Sequence, residues 1–445
     1  MFFRVVLSRP EIYDIVCYIL GVKEQWSELP HGLSLGYCWN LLWTYAAPNI
    51  DFTKIFSFQK VNHLINNRTI HRKDMLKKHI MRIRNMNKRL YNLFDIMPQT
   101  FLLSKEYMDF IEEYHKIGKD NPLNLWIVKP IGKSRGKGIF LVDDIGDVPL
   151  SDTYLAQKYL TNPLLLEGYK FDMRIYVLVT SVNPLEVFLY KDGFARVSNE
   201  KFDLFTKNNK IHLTNAAIQN FSAKKSGNFE KVYGGSKISL DILKYKLNKF
   251  NGINFSKQIW PQVKSIILKA LVACQNDIPY APSCFELFGF DIIIDEDLKC
   301  WLLEINSSPS LERTNALDDQ IKLPLVDDIL NIVDPVNIDR GALLKVLERV
   351  LGVSKKTGKG EGVYLYSPAV QLNIDLTQIF QGKVPRAYGE MPEKMGRFER
   401  IAPTKESDRL IKMTGGQKMF GVKQDNNNSN NYNVRSTSSR IHYKM

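Results

Sequence analysis

The chain has 445 residues and 44% hydrophobic content, which is ordinary for a globular protein with room for roughly two to four domains. Lys and Arg outnumber Asp and Glu by 61 to 47, and the net charge of +14 favours a polyanionic partner: nucleic acid, an anionic membrane or an acidic polypeptide. Five scattered cysteines without a C-x-x-C pair argue against a disulfide framework or zinc site, and no run of about 18 uncharged apolar residues indicates a membrane span. We therefore expect a soluble protein of a reducing, intracellular compartment.

Strand-like runs rich in β-branched and aromatic residues alternate with helical patterns. Strands are predicted at 124–128, 171–180, 186–190, 289–294 and 300–305, and helices at about 74–94, 104–117, 238–249 and 258–275. This mixture predicts an α/β or α+β architecture. From about residue 345 the sequence turns polar and loses apolar periodicity, so a folded domain at 1–345 should precede a basic, low-complexity, partly disordered extension at 346–445.

The first distinctive element is the segment 70–94, which reads as a strongly basic helix. Its predicted inward stripe consists of Leu76, Ile80, Ile83, Met86 and Leu90. The outward face could attract an acidic polypeptide, although basic solvent-facing helices are also common without such a role.

The stretch WIVKPIGKSRGKGIF at 126–140 places Lys129 on a predicted strand before a loop rich in Gly, Lys and Arg. It fails as a Walker A loop because Ile127 holds the position of the first glycine. It fails as a kinase lysine strand because its glycines follow the lysine. The loop could close its backbone N–H groups on phosphate oxygens, with a solvated basic turn as the plain alternative.

Charged and apolar residues alternate in the predicted strand YKFDMRIYVLVTS. Lys170, Asp172 and Arg174 share one face, and the apolar residues between them share the other. Buried charges are costly unless they are paired or face a polar ligand. This face therefore contacts phosphates or carboxylates, or it forms an internal ladder of ion pairs.

The hairpin FELFGFDIIIDEDLKCWLLEINSSPS at 285–310 is the most specific pattern. If it turns at residue 297 or 298, Asp291 lies opposite Glu304, and Asn306 shares the face of Glu304. Two carboxylates and an amide oxygen then converge, and such hard oxygen ligands suit Mg²⁺. The alternative is a half-exposed hairpin whose acids pair with surface lysines. The apolar residues expected behind the acids are Ile292, Ile294, Leu303 and Ile305.

These motifs, in this order, resemble the tubulin tyrosine ligase-like family of ATP-grasp amino-acid ligases. The similarity covers most of residues 60–330 and includes VNH at 61–63, RKD at 72–74, PQTF at 98–101, WIVKP and RGKGI within 126–139, AQKYL at 156–160, KFDMRIYVLVTS at 170–181, YKDGFARVSN at 190–199, HLTN at 212–215, and ELFGFDIIID with WLLEINSSPSL. Within the family the chain is most similar to the glutamylase branch, particularly the member-nine type associated with cilia and flagella. The resemblance implies an ATP-grasp-like catalytic domain at 1–345.

The resemblance also implies roles for the matched residues. Arg174 resembles the arginine near the transferred phosphate and acts in catalysis with Lys129, and Arg135 also borders the protein substrate. Arg196 resembles the arginine that holds the incoming amino acid, and Lys322 a second contact to it, unless Lys322 is an ordinary solvated helix lysine. Asp291, Glu304 and Asn306 match the magnesium ligands. The expected ATP contacts are Lys73, Lys129, Arg135, Gly136, Gln157, Lys158, Tyr159, Leu160, Lys170, Phe171, Asp172, Thr214 and Asn215, with main-chain groups of 157–160 beside the adenine.

The reaction implied by the resemblance starts with attack of a carboxylate on the γ-phosphate of ATP and ends with an amide to a free amino acid. The glutamylase branch implies L-glutamate as donor, ATP as co-substrate and Mg²⁺ as cofactor. The expected acceptor is the acidic C-terminal tail of tubulin on microtubules, and accessory subunits are a further class of partner. The expected location is the cytoplasm and the cytoskeleton of a cilium or flagellum, at the axoneme or basal body. Two alternatives remain: a glycine or tyrosine ligase of the same fold, and a catalytically inactive microtubule-binding protein. Neither a membrane nor a nucleic-acid partner is expected, since no nucleic-acid-binding signature stands out.

Overall fold

The computed structural model describes residues 1–30, 36–56, 58–132, 136–206, 208–214, 219, 236–357, 368–383 and 385–415. Its strands are β1 (Phe2–Val5), β2 (Ser27–Glu28), β3 (Leu41–Trp43), β4 (Lys60–Val61), β5 (Thr100–Leu102), β6 (Trp126–Pro130), β7 (Phe140–Val142), β8 (Tyr154–Lys158), β9 (Leu165–Leu166), β10 (Tyr169–Ser181), β11 (Glu186–Lys201), β12 (Lys237–Ser239), β13 (Glu286–Ile294), β14 (Cys300–Ser307) and β15 (Phe398–Ala402). Its helices are α1 (Pro10–Gly21), α2 (Arg68–His71), α3 (Lys73–Arg84), α4 (Lys88–Leu93), α5 (Tyr107–Ile117), α6 (Asn209–His212), α7 (Leu240–Asn251), α8 (Trp260–Cys274), α9 (Ala316–Val333), α10 (Arg340–Thr357), α11 (Pro368–Ile379) and α12 (Lys405–Met413). The predicted α/β class is confirmed.

The strands form three sheets in the described part of the chain. A small parallel sheet has the order β2-β1-β3-β4, and an antiparallel sheet has the order β5-β8-β6-β7. The central sheet has the order β12-β11-β10-β13-β14, with β9 added to β10 and β15 added to β11. None of the helices in the described ranges is long and apolar enough to cross a membrane.

Alternate residues of β10 enter two different apolar cores, as the pleat of a strand requires. Ile175 and Val177 pack with α7 and α8 on one side of the central sheet. Tyr176 and Leu178 pack with α1 and α9 on the other side. Toward the start of β10 this second face carries charged residues in place of apolar ones, and they line two cavities: Lys170, Asp172 and Arg174.

The predicted basic helix at 74–94 is in fact two helices. Helix α3 ends at Arg84, and Asn87 caps the start of α4 by accepting a hydrogen bond from the Leu90 N–H at 2.9 Å. The break turns Met86 outward, where it is 52% exposed, so its predicted place in the inward stripe is wrong. The other four members of that stripe are buried.

Part of the predicted C-terminal extension is folded onto the central sheet. Strand β15 pairs with β11, and α12 follows it with a capping box formed by Thr404 and Ser407. Leu410 and Ile411 of α12 are buried in the same core as α8. The expectation of a loosely folded region is therefore wrong for residues 398–413, whereas residues 416–445 lie outside the described ranges.

Candidate active site

The hairpin of β13 and β14 brings the three predicted oxygen ligands together. Asp291 lies directly opposite Glu304 in the antiparallel register. The amide nitrogen of Asn306 lies 3.3 Å from a carboxylate oxygen of each acid. The cross-strand register predicted from the position of the turn is confirmed.

A β-bulge interrupts the hairpin at a position where simple alternation was expected. Asp291 faces Glu304 but Ile292 faces Leu302, so Leu303 is the extra residue between them. Leu303 and Glu304 consequently line the same pocket. The prediction that Leu303 packs behind the acids is wrong, and the fully buried Leu302 takes that place in the core.

Two arginines of the central sheet, Arg174 on β10 and Arg196 on β11, hold the buried carboxylate of Asp291. Arg174 donates from Nε and Nη2 to its two oxygens at 2.6 and 3.1 Å, and Arg196 Nη2 lies 2.8 Å from Oδ2. Arg196 also donates to both oxygens of Asp172, at 2.7 and 2.5 Å. Burial alone would raise the pKa of Asp291, but the two guanidinium groups hold it below its usual value.

These contacts form a ladder of four charges across β11, β10 and β13, in which the two aspartates are buried and the two arginines are mostly buried. The ion-pair interpretation of this strand is thus confirmed for Asp172 and Arg174, and because the same face borders the cavities, contact with a polar ligand stays a prediction. Glu304 lies at the edge of the network, where Lys73 at the start of α3 contacts its Oε2 at 3.2 Å.

Two cavities meet at this hairpin. The inner pocket lies between the sheet of β6 and β8 and the central sheet, and its apolar walls include Ile127, Ile139 and Leu303. The outer cleft has a volume of about 510 Å³ and reaches α3 and α9. Glu304 and Arg196 line both cavities, so molecules bound in the two would lie on either side of these side chains.

Lys129 projects from β6 into the inner pocket. Its ammonium group donates to Gln157 Oε1 at 2.6 Å, and the Gln157 amide nitrogen donates to Thr100 Oγ1 at 2.9 Å. Burial lowers the pKa of Lys129 to about 8, against an opposing effect of the Glu304 charge. Gln157 therefore orients the lysine through its side chain, and Thr100 is a member of the site that sequence reasoning missed.

A second buried lysine, Lys170, lies deeper in the same pocket. Its ammonium group donates to Tyr159 Oη at 2.7 Å and to the His212 carbonyl at 2.8 Å. Tyr159 Oη also lies 2.8 Å from His212 Nδ1. Burial lowers the pKa of Lys170 to about 7. His212 stands in the HLTN motif, but its contact with Tyr159 could not be read from the sequence.

All four residues of the strand segment 157–160 line the inner pocket. The Lys158 ammonium group points away, to the Leu123 carbonyl at 2.7 Å and over the ring of Trp126. The N–H groups of Lys158 and Tyr159 donate inside the protein, to the carbonyls of Gln99 and Leu125. A base edge would therefore be read by other main-chain atoms of the segment, which ends at Leu160.

The remaining residues expected at the nucleotide are divided between pocket and core. Thr214 lines the pocket and donates to Asp172 Oδ2 at 2.9 Å. Phe171 is buried in the apolar core with the opposite face of β10, so its side chain does not reach the pocket. Gly136 has a φ of +74°, a conformation that favours glycine. Arg135 and Asn215 lie outside the described residues.

Lys322 lines the outer cleft from α9 and is 3% exposed. The alternative that Lys322 is an ordinary solvated helix lysine is therefore excluded. Its ammonium group lies 2.8 Å from Asp318 Oδ1 and donates to the Glu312 carbonyl. Lys237 of β12 approaches the same aspartate at 3.2 Å. The spacing of Asp318 and Lys322 by four residues is a helical pairing visible in the sequence, whereas no local pattern marks Lys237.

The donor set of the hairpin suits a hard cation. Within the described ranges, no three His, Cys, Asp or Glu side chains cluster as a metal site. The hairpin offers two carboxylates and one amide, and a half-turn of the Asn306 amide would direct its oxygen where the nitrogen now lies. Oxygen ligands of this kind are those that Mg²⁺ prefers, so the residues fit the ion.

Comparison with known proteins matches this chain to one family. A family model described as the tubulin-tyrosine ligase family matches residues 53–341. The chain is 37% identical over 333 residues to the probable alpha-tubulin polyglutamylase Ttll1 of Tetrahymena thermophila, covering 67% of this chain and 78% of that protein. It is 34% identical over 342 residues to the human probable tubulin polyglutamylase TTLL2, covering 74% and 55%.

The member-nine type is also among these relatives. The rat probable tubulin polyglutamylase TTLL9 is 33% identical over 347 residues, covering 66% of this chain and 73% of that protein. The chain thus spans about half the length of human TTLL2 and most of the other two. The chain therefore belongs to the tubulin-tyrosine ligase family and is a ligase with an ATP-grasp-like fold.

Proposed function

We propose that this protein is an ATP- and Mg²⁺-dependent polyglutamylase that adds L-glutamate to side-chain carboxylates of acidic tubulin tails on microtubules. The observation that carries the proposal is the meeting of two cavities at Glu304 and Arg196, one narrow with buried lysines and one wide and cationic. The three relatives named above carry the name of probable polyglutamylases of tubulin, which supports the substrate class. We extend the proposal to the cytoplasm and the axoneme or basal body of cilia or flagella, with accessory subunits as further partners.

In this proposal ATP occupies the inner pocket. The adenine lies beside the main chain of 157–160, and the phosphates lie toward Lys129 and the hairpin. Lys129 and Arg174 stabilise the charge on the transferring phosphoryl group, since fixed positive groups in a water-poor site act strongly on developing charge. Mg²⁺ held by Asp291, Glu304 and Asn306 would neutralise phosphate charge when bound.

The ligation then proceeds in two steps. An oxygen of the acceptor carboxylate attacks the γ-phosphorus, and ADP leaves with the electrons of the broken P–O bond. The amine of the donor attacks the resulting acyl phosphate at carbon, inorganic phosphate leaves, and the amine loses a proton. No side-chain nucleophile is required. Arg196 and Lys322 offer the positive charge that holds the carboxylates of the donor in the outer cleft.

The acceptor tail is better assigned to a groove beside the cleft than to the whole basic face of α3. Four of the five Lys and Arg residues of α3 contact a carboxylate: Lys73, Lys77, Arg82 and Arg84. The side groove, with a volume of about 690 Å³, lies between α3 and the end of β5 and adjoins the outer cleft at Arg72 and Gly132. Exposed Lys78 and Lys105 line it and would attract an acidic chain.

The donor is tested by direct incorporation. The protein is incubated with microtubules, ATP and Mg²⁺, and with radiolabelled glutamate, glycine or tyrosine in separate reactions. We expect glutamate alone to enter tubulin. Incorporation of glycine alone would overturn the assignment of the donor while keeping the ligase mechanism, and microtubule binding without any incorporation would favour the inactive alternative.

A further inference from the structure

The segment 385–402, which we call the clasp, lies across the outer edge of β11. It begins well beyond residue 341, where the match to the family ends. Its strand β15 pairs with residues 187–190 of β11, and the Lys191 N–H donates to the Arg397 carbonyl at 3.0 Å. The clasp is thus an added strand on the sheet that carries the active site.

Strand β11 changes its neighbour in the middle of its length. Its outer edge pairs with β15 up to Tyr190 and with β12 from Phe194 to Arg196. The break between these two pairings includes Gly193, where a Cβ atom would lie 2.4 Å from the Arg174 carbonyl oxygen. Arg196, which faces both cavities, therefore lies on a short stretch of strand just past this break.

Arg397 of the clasp spans the break and reaches α9. Its Nη1 donates to Asp192 Oδ2 at 2.8 Å and to the Gln320 carbonyl at 3.4 Å. Its main-chain N–H donates to Asp328 Oδ2 at 2.9 Å. Gln320 and Asp328 belong to α9, the helix that carries Lys322. One residue thus connects the strand of Arg196 with the helix of Lys322.

The path of the clasp along α9 is fixed by close contact as well as by hydrogen bonds. Gly396 has a φ of +53°, and a Cβ atom there would lie 1.8 Å from an oxygen of Asp328. At this φ only glycine fits without displacing the Asp328 carboxylate that accepts from the Arg397 N–H. The contact keeps Arg397 in register with both elements.

We propose that Arg397 is a positioning residue that holds α9 against β11 and so sets the spacing of Lys322 and Arg196 around the donor amino acid. The inference rests on the proposed function, because it concerns the half of the cleft assigned to the donor. Arg397 itself lines neither cavity, and Arg196 is the one residue among the described walls of the inner pocket that lies on β11, the strand paired with the clasp. Its loss should therefore weaken donor binding and leave nucleotide binding unchanged.

The clasp supplies a matched control at its other end. Arg386 makes a bidentate ion pair with Glu186, at 2.8 and 2.7 Å, at the start of β11 and away from both cavities. This pair is more buried than that of Arg397 with Asp192. Arg386→Met should therefore destabilise the protein more than Arg397→Met without a selective effect on the donor.

The test measures the KM for L-glutamate, the KM for ATP, kcat and Tm for the full chain and its variants. We expect Arg397→Met to raise the KM for glutamate roughly twofold to fivefold, because it removes a half-exposed ion pair. The KM for ATP and kcat should stay near the wild-type values. Arg397→Lys should restore part of the loss, and Asp192→Asn should reproduce it. An unchanged KM in Arg397→Met, or an equal rise in Arg386→Met, would overturn the role of Arg397.

The two proposals fail in distinguishable ways. If wild-type protein incorporates glycine in place of glutamate, the donor assignment fails, and the same comparison of KM values made with glycine still decides the role of Arg397. If wild-type protein incorporates no amino acid, labelled glutamate is titrated against the wild-type and Arg397→Met proteins with ADP present. Equal affinities, or no binding, would then overturn the clasp proposal too.

Discussion

Replacing Glu304 by Gln separates the chemistry of the hairpin from its stability. The Glu304 side chain is 20% exposed and Lys73, its partner at 3.2 Å, is 15% exposed. An ion pair so close to solvent contributes about 1 kcal/mol or less, and the glutamine keeps the shape and one hydrogen-bonding oxygen. The negative charge, however, lies where both cavities meet and where the cation would be held. We expect ligation to fall roughly 100-fold or more, as for other losses of a charged group at a reacting centre.

The assay is initial-rate incorporation of labelled glutamate into microtubules, with urea unfolding and microtubule co-sedimentation on the same samples. Asp95→Asn is a suitable control, because Asp95 pairs with Arg84 at 3.2 Å and with Lys299 near the far end of α3 and lies outside both cavities. It should show a similar small change in the free energy of unfolding and normal ligation. Undiminished ligation by Glu304→Gln would refute the assignment of the hairpin, and loss of ligation by both variants would show that the assay reports stability alone.

Three further predictions concern the remaining parts of the site. Asp172→Ala should lower the free energy of unfolding by about 3–5 kcal/mol in urea, because it removes one side of a buried, bidentate pair with an arginine; a change below about 1 kcal/mol would contradict the strength of the network. Burial lowers the pKa of Lys170 to about 7 and that of Lys129 to about 8. Above these values the unfolded chain binds more protons than the folded chain, because its lysines are still protonated. Both residues therefore make the free energy of unfolding rise with pH toward about 10. Lys170→Met should flatten this rise between about pH 7 and 9.5 in urea unfolding, and an unaltered slope would argue against a strongly buried ammonium group. Lys78→Glu combined with Lys105→Glu should raise the KM for microtubules several-fold, more at low salt than at high salt, with no change in the KM for ATP; a rise independent of salt would exclude electrostatic docking in the side groove.

The parts of the site that were predictable depend on alternation within single strands and on a turn of known position. Asp291 and Glu304 are opposite each other because the acidic turn at 295–297 fixes the register of the hairpin. The shared face of Lys170, Asp172 and Arg174 follows from the pleat of β10 alone. The alternation of side chains along single strands is therefore enough to predict which residues lie at the centre of the candidate site.

The parts that were missed depend on contacts between distant segments or on local irregularities. No local pattern indicates that Gln157 orients Lys129, since the two strands are brought together by the sheet. The pairing of β15 with β11 joins residues some 200 positions apart. Strand β15 is short and lies within a polar stretch of the sequence, so no local pattern marks it. The break after Arg84 was masked by a helical pattern that continues through Met86, although Asn87 is a residue that often starts a helix.

The bulge in β14 determines which one-residue deletions this strand can accept. Before Leu303 the buried residues of the strand are Cys300 and Leu302, and after it the buried residue is Ile305. Deleting Leu303 would restore unbroken alternation from Cys300 to Asn306 with Glu304 still on the outer face, so the ladder itself would tolerate the shorter strand. The inner pocket would lose the wall beside its carboxylates. A one-residue deletion at 303 should thus be mild for folding and severe for the nucleotide, whereas deletion of Ile305, outside the bulge, would bring a polar neighbour onto the core face.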